Sequence, residues 1–97
     1  IQLNIPSAIY FDFFSSSFLI TNRDSSNLVR WKFGDPGWSL VAGSMAGVAG
    51  NTSSLLFRPH AITMDPMGNI YVADSRNCRV QFFASGQSVG VTVAGIV

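Results

Sequence analysis

The sequence predicts an all-β protein made of two four-stranded antiparallel units in tandem. Two observations carry that expectation. Eight short runs rich in Val, Ile, Phe, Tyr and Trp are separated by Gly, Pro, Asn, Asp and Ser, and the pattern of the first half returns in the second. β-branched and aromatic side chains suit a pleated, packed surface, and the separating residues are those that turns require.

The repeat comes first, because a period of about 50 residues decides the architecture. Pro59-His60-Ala61-Ile62-Thr63-Met64-Asp65 answers Pro6-Ser7-Ala8-Ile9-Tyr10-Phe11-Asp12, with Pro, Ala, Ile and Asp each 53 positions apart. Val72-Ala73-Asp74 answers Ile20-Thr21-Asn22, and Val80-Gln81-Phe82 answers Val29-Arg30-Trp31 at an offset of 51. Both units close on Val-Ala-Gly, at Val41-Ala42-Gly43 and Val93-Ala94-Gly95, 52 positions apart. Such small changes of offset imply insertions in turns.

The predicted strands of the first unit are Ala8–Phe11, Phe18–Asn22, Leu28–Phe33 and Ser39–Ala42. Those of the second are Ala61–Asp65, Asn69–Asp74, Arg79–Ala84 and Gly90–Ala94. Ile70-Tyr71-Val72-Ala73 is apolar on both faces, which fits a sheet packed between two neighbours. In Asp65-Pro66-Met67-Gly68-Asn69, Pro66 presets the first corner and Gly68 supplies the left-handed position. Asp74-Ser75-Arg76-Asn77 reads as an Asx-stabilised turn, with residues 22–27 as its counterpart. Gly86 is placed to take positive φ in the loop Ser85-Gly86-Gln87-Ser88. The units span residues 1–43 and 58–97. Between them, residues 44–57 carry Asn51-Thr52-Ser53-Ser54-Leu55-Leu56, a cap-like run that predicts one short helical turn.

Composition narrows the classes. Hydrophobic residues make up 47% of the 97 and charged residues 11%, the reverse of a disordered chain. Six Arg and Lys stand against five Asp and no Glu, spread along the chain with no basic cluster, so neither nucleic acid nor another charged partner is implied. The apolar stretch from Ala8 to Ile20 is interrupted by Asp12 and Ser15-Ser16-Ser17 and is too short to insert into a membrane. Cys78 is the sole cysteine, which rules out an internal disulfide. The chain begins with Ile and shows no signal peptide, which points to a segment of something longer.

Four antiparallel strands per roughly 50 residues is the blade of a β-propeller. The run from Arg58 through Gly68-Asn69-Ile70-Tyr71-Val72-Ala73-Asp74 to Asn77-Cys78-Arg79-Val80-Gln81-Phe82-Phe83 resembles the NHL repeat. That pattern is an apolar strand ending in Asp, then Gly-Asn-Ile-Tyr-Val-Ala-Asp, then Asn-His-Arg-Val-Gln. Cys78 stands where the family has His. The first unit departs further, with Ser15-Ser16-Ser17 in place of the Gly-Asn turn. The resemblance implies a ring of about six blades, of which two are present here. A blade buries both faces against neighbours, so two blades alone leave open apolar faces. The expected partners are therefore the remaining blades or further copies of the chain.

Candidate functional residues are few. His60, the only histidine, precedes an inner strand, and the resemblance places it near the mouth of a central channel as a binding candidate. Its counterpart is Ser7, so no second ligand is supplied for a metal. Asp65 and Asp74, with Asp12 and Asn22, recur at strand ends, where such residues cap turn amides. Cys78 lacks a base or resolving thiol and reads as inert, although Arg76 and Arg79 are near in sequence. Trp31 aligns with Phe82 and reads as core. Asn51-Thr52-Ser53 is an N-glycosylation sequon, which makes Asn51 a modification candidate and favours an extracellular setting.

No complete catalytic set, metal spacing or phosphate loop is present, and no cofactor is implied. The expected function is a non-catalytic interaction scaffold for a protein or small-molecule ligand. A fragment of a metal-dependent lyase- or lactonase-like propeller, with ligands on other blades, is the alternative.

Overall fold

The computed structural model describes residues 3–95. Eight strands follow one another: β1 (Pro6–Asp12), β2 (Ser17–Asn22), β3 (Asn27–Lys32), β4 (Ser39–Gly43), β5 (Pro59–Met64), β6 (Ile70–Asp74), β7 (Arg79–Phe83) and β8 (Val91–Gly95). They form two antiparallel meanders, β1-β2-β3-β4 and β5-β6-β7-β8. All eight stand where the residue pattern places them, with ends displaced by one or two positions.

The two sheets are built on one plan. β1 and β5 both open on proline and carry a register shift one residue later, between Pro6 and Ala8 and between Pro59 and Ala61. Proline has no N–H to donate, so it belongs at a strand start or bulge. Leu28 lies opposite Ala42 and Val80 opposite Ala94, with matching shifts just beyond. The recurring Val-Ala-Gly follows from close approach. Gly43 (φ +87°) lies so near β3 that a Cβ would stand 2.7 Å from the Ser26 carbonyl, and Gly95 (φ +106°) meets Cys78 in the same way.

Register also corrects the repeat alignment. Asp74 faces Arg79 where Asn22 faces Asn27, and Ile70 faces Phe83 where Phe18 faces Trp31. Trp31 is therefore the counterpart of Phe83, not of Phe82. The offset is 53 through β1 and β5 and 52 from there on. One extra residue in the Asp12–Ser17 turn accounts for the change.

The sheets stack face to face, β1 and β2 against β5. Successive strand residues alternate between faces, so each sheet has a forward and a rear surface. Leu19, Leu28 and Ala42 from the forward surface of the first sheet meet Ile70, Val72 and Phe83 from the rear surface of the second, and all are buried. Leu56 from the connecting segment is completely buried in the same cluster, with Tyr10, Val41, Ile62 and Met64 at its margin. Each fully buried side chain of this size is worth about 1.5–3 kcal/mol. Apolar burial outweighs the few polar bonds that cross the seam.

Two local expectations need correction. The connecting segment contains no helical turn. Residues 44–57 form bends closed by Leu55 N–H to the Thr52 carbonyl (3.4 Å) and Gly50 N–H to the Leu56 carbonyl (3.0 Å). The one short helix among the described residues is a 3₁₀ turn at Ser75–Asn77, where an Asx turn was expected. The Asp74 carboxylate caps no backbone amide of that turn; it accepts the Asn77 side chain there and the Phe57 amide and Arg79 outside it. Trp31 is also not in the core. It lies partly exposed on the rear surface of the first sheet, its Nε1 donating to the Asp35 carbonyl at 2.9 Å.

Candidate binding surface

The turns group at two ends of the stacked sheets. One end carries the β2–β3 and β6–β7 turns and the connection from β4 to β5. The other carries the β1–β2 and β5–β6 turns with the β3–β4 and β7–β8 loops.

At the connection end the polar residues are spent on structure. Asp74 is fully buried and its Oδ1 accepts the Phe57 amide at 2.7 Å. Its Oδ2 accepts Asn77 Nδ2 at 2.7 Å and Arg79 Nε at 2.9 Å. The Arg79 guanidinium also donates to the carbonyls of Asn51 (3.1 Å), Thr52 (2.9 Å) and Leu55 (2.8 Å). That clamp holds residues 51–55 in place without a helix. The first sheet has a neutral version: Asn22 Oδ1 accepts the Asn4 amide (3.2 Å), Asn22 Nδ2 donates to Asn27 (3.1 Å), and Asn27 donates to the Ser44 carbonyl (3.0 Å).

His60 is exposed at the start of β5, and Ser7, its counterpart, donates to the Pro59 carbonyl at 2.8 Å. Among the described residues, no three His, Cys, Asp or Glu side chains are placed to hold one metal ion. Cys78 is an exposed free thiol in left-handed conformation (φ 51°), as is Ser26 (φ 51°) in the first sheet. The Asn51 side chain is exposed on its loop. Asp65 and Asp74 serve separate ends and do not meet.

The opposite end is different in character. Asp12 Oδ1 accepts the Phe14 amide at 3.0 Å and Asp65 Oδ1 accepts the Met67 amide at 3.0 Å, the same Asx turn in each sheet. Asp65 also binds Asn69 through both backbone and side chain, and accepts the Tyr71 hydroxyl at 3.2 Å. The Asn69 side chain, a partial desolvation in opposition, the turn amides and Tyr71 together hold the Asp65 carboxyl below its ordinary value. Desolvation and that carboxylate in turn push the Tyr71 hydroxyl up. For Asp12, burial pushes the carboxyl up, but the Ser15 hydroxyl, Arg30 and the Phe14 amide outweigh it and leave it lowered. Arg30 Nη1 lies 2.9 Å from Asp12 and 2.6 Å from Ser17.

These fixed turns push apolar side chains into solvent. Phe13 is 84% exposed, Phe14 92% and Met67 82%. Phe14, Pro66 and Met67 border a cleft of about 250 Å³ that runs between the two sheets, with Asp12 and Arg30 inside it. The strand bounds expected from sequence already leave Phe13 and Phe14 in the turn, but their exposure is not legible there, because residue type alone predicts burial. The only available signal was the match of Asp12 to Asp65, which fixes where the turn begins.

Two four-stranded antiparallel meanders, consecutive in sequence and stacked face to face, define the protein as one built from β-propeller blades. The NHL repeat family model matches residues 58–83, which run from just before β5 to the end of β7, three of the second blade's four strands. No curated protein matches the chain. Among the described residues, no helix is long and apolar enough to cross a membrane.

Proposed function

We propose that the chain is a non-catalytic interaction scaffold whose binding surface is the ridge of Phe13, Phe14, Pro66 and Met67 with the cleft beside it. The exposure of those residues on two rigid turns carries the reading. Large apolar side chains held in water at adjacent positions mark a contact surface, and a rigid platform lowers the ordering cost of binding. The cleft offers Arg30 and Asp12 for orientation, and the ridge offers area for an apolar or aromatic peptide segment. The Asp residues at the turns hold the backbone in shape and are not arranged for acid–base chemistry.

Panning a random peptide library on the chain and on a Phe14→Ser, Met67→Ser variant tests this. Peptides rich in apolar and aromatic residues are expected to enrich on the native chain and to lose at least tenfold in affinity for the variant. Equal binding to both would place the contact elsewhere. The lyase- or lactonase-like alternative predicts instead that further blades carry His, Glu or Asp at the position of His60, and that a chain including them binds a divalent metal by calorimetry.

A further inference from the structure

The contact between the two blades is a template for contacts that the chain does not make within itself. The forward surface of blade 1 is buried. The corresponding surface of blade 2, formed by Thr63, Tyr71, Val80 and Phe82, has no blade against it in this structure. Its Tyr71 and Phe82 rings pack 5.2 Å apart at an open face. The rear surface of blade 1 has no blade against it either: Ile9 is 63% exposed beside the half-buried Phe18 and Trp31, while Ile20 among them is already buried.

We propose that these two open faces bind each other between copies of the chain, head to tail, in the geometry already present between blade 1 and blade 2. The occupant is argued from side-chain volume. On the rear surface, Phe18, Ile20 and Trp31 stand where Ile70, Val72 and Phe83 stand in the internal contact, each larger than its counterpart. On the forward surface, Thr63 and Val80 stand where Tyr10 and Leu28 stand, each smaller, while the larger Tyr71 replaces Leu19 and Phe82 replaces Arg30. The enlarged face fits the forward one where Thr63 and Val80 reduce it, as conserved total volume in a packed interface requires. Neither face carries a charge among these residues, so no ion is stranded.

Polar groups at the seam recur as well. Internally, Ser7 donates to the Pro59 carbonyl, and the Arg58 amide donates to Ser26 Oγ at 3.1 Å. In a second contact of the same kind, His60 takes the place of Ser7 and faces the Pro6 carbonyl of the next copy. Cys78 takes the place of Ser26 and faces the Ile5 amide. Ile5 (φ 52°) and Arg58 (φ 50°) share the conformation that presents that amide. His60 is thereby assigned to a blade junction and not to a channel ligand set. Because the joined faces differ, the contact is heterologous and closes into a ring if the rotation permits. Propellers of four to eight blades correspond to about two to four copies.

Light scattering on size-exclusion fractions of the 97-residue chain reads the mass directly. The native chain is expected as a discrete multiple of 10.5 kDa. Trp31→Arg spoils only the rear face and Phe82→Arg only the forward face, so each variant alone is expected at the single-chain mass with an unchanged circular dichroism spectrum. An equimolar mixture of the two retains one intact pair of faces and is expected to form a 1:1 complex of twice that mass. Ile9→Arg with Tyr71→Arg repeats the test should either first variant unfold. A native chain that is monomeric at about 50 μM, an affinity well within reach of such a face, would overturn the proposal. So would a mixture that stays monomeric, or one variant that still self-associates, which would mean a symmetric contact through a single face.

Discussion

The Asp74–Arg79 pair makes a quantitative prediction, because blade 1 already contains its neutral replacement. Asp74→Asn keeps an oxygen for the Phe57 amide but leaves the Arg79 guanidinium, whose side chain is only 8% exposed, without its counter-charge. Breaking a buried pair costs about 3–5 kcal/mol. Three carbonyls continue to accept from Arg79, so the lower figure applies, about 3 kcal/mol. Arg79→Asn leaves a buried carboxylate with the Phe57 amide and Asn77 as donors and also releases the three loop carbonyls, so it costs about 5–6 kcal/mol. The double variant reproduces the Asn22–Asn27 arrangement, with no unpaired charge. Its cost is the released loop carbonyls, about 3 kcal/mol in total. The singles then exceed the double by about 5–6 kcal/mol in sum, more than the usual coupling between groups in one network. Urea unfolding followed by Trp31 and Trp38 fluorescence measures all four proteins, at one fixed concentration because association adds stability by mass action. Costs that add within about 0.5 kcal/mol would refute the reasoning and reduce the pair to two independent contacts.

Two further outcomes follow from the turns. The folded carboxyls of Asp12 and Asp65 lie below the ordinary value of 3.8, so their stabilisation is complete above that pH and is lost as pH falls through the depressed folded values. The urea midpoint of the native chain should therefore drop below about pH 4, and an Asp12→Asn, Asp65→Asn variant should lose part of that slope; equal slopes would deny the carboxylates the role. Ser16 holds φ at 52° in the turn of blade 1 where Gly68 holds +85° in blade 2. Ser16→Gly should raise stability by about 0.5–1 kcal/mol through relief of left-handed strain, read as a higher thermal midpoint, and a lower midpoint would contradict it.

Much of this architecture was legible because propeller strands are short and local. Apolar runs, the prolines opening β1 and β5, and Val-Ala-Gly each report on residues a few positions away. Where the reading failed, the cause was long-range. Trp31 was matched to Phe82 because Val29 and Val80 look alike in sequence, whereas ladder register pairs Leu28 with Val80's position. The helical turn expected near Asn51 has capping residues, but Arg79, more than twenty positions on, takes the carbonyls a helix would have used. Asp74 does bond Asn77 within its turn, but its other partner Phe57 lies on a distant segment that the local pattern does not reveal. The Phe13–Phe14 ridge escaped notice because exposure is a property of how the turn is held, and residue type alone predicts the opposite.

The outermost strands, Ser39–Gly43 and Val91–Gly95, each have a neighbour on one side only. Neither contains lysine, proline or any charge, the usual means by which a free edge is kept from growing. Blade-on-blade stacking covers faces and leaves these rims untouched. An uncharged, uncovered edge of this kind can accept a further strand, so Val91-Thr92-Val93 is where edge-to-edge aggregation of concentrated solutions is expected to start.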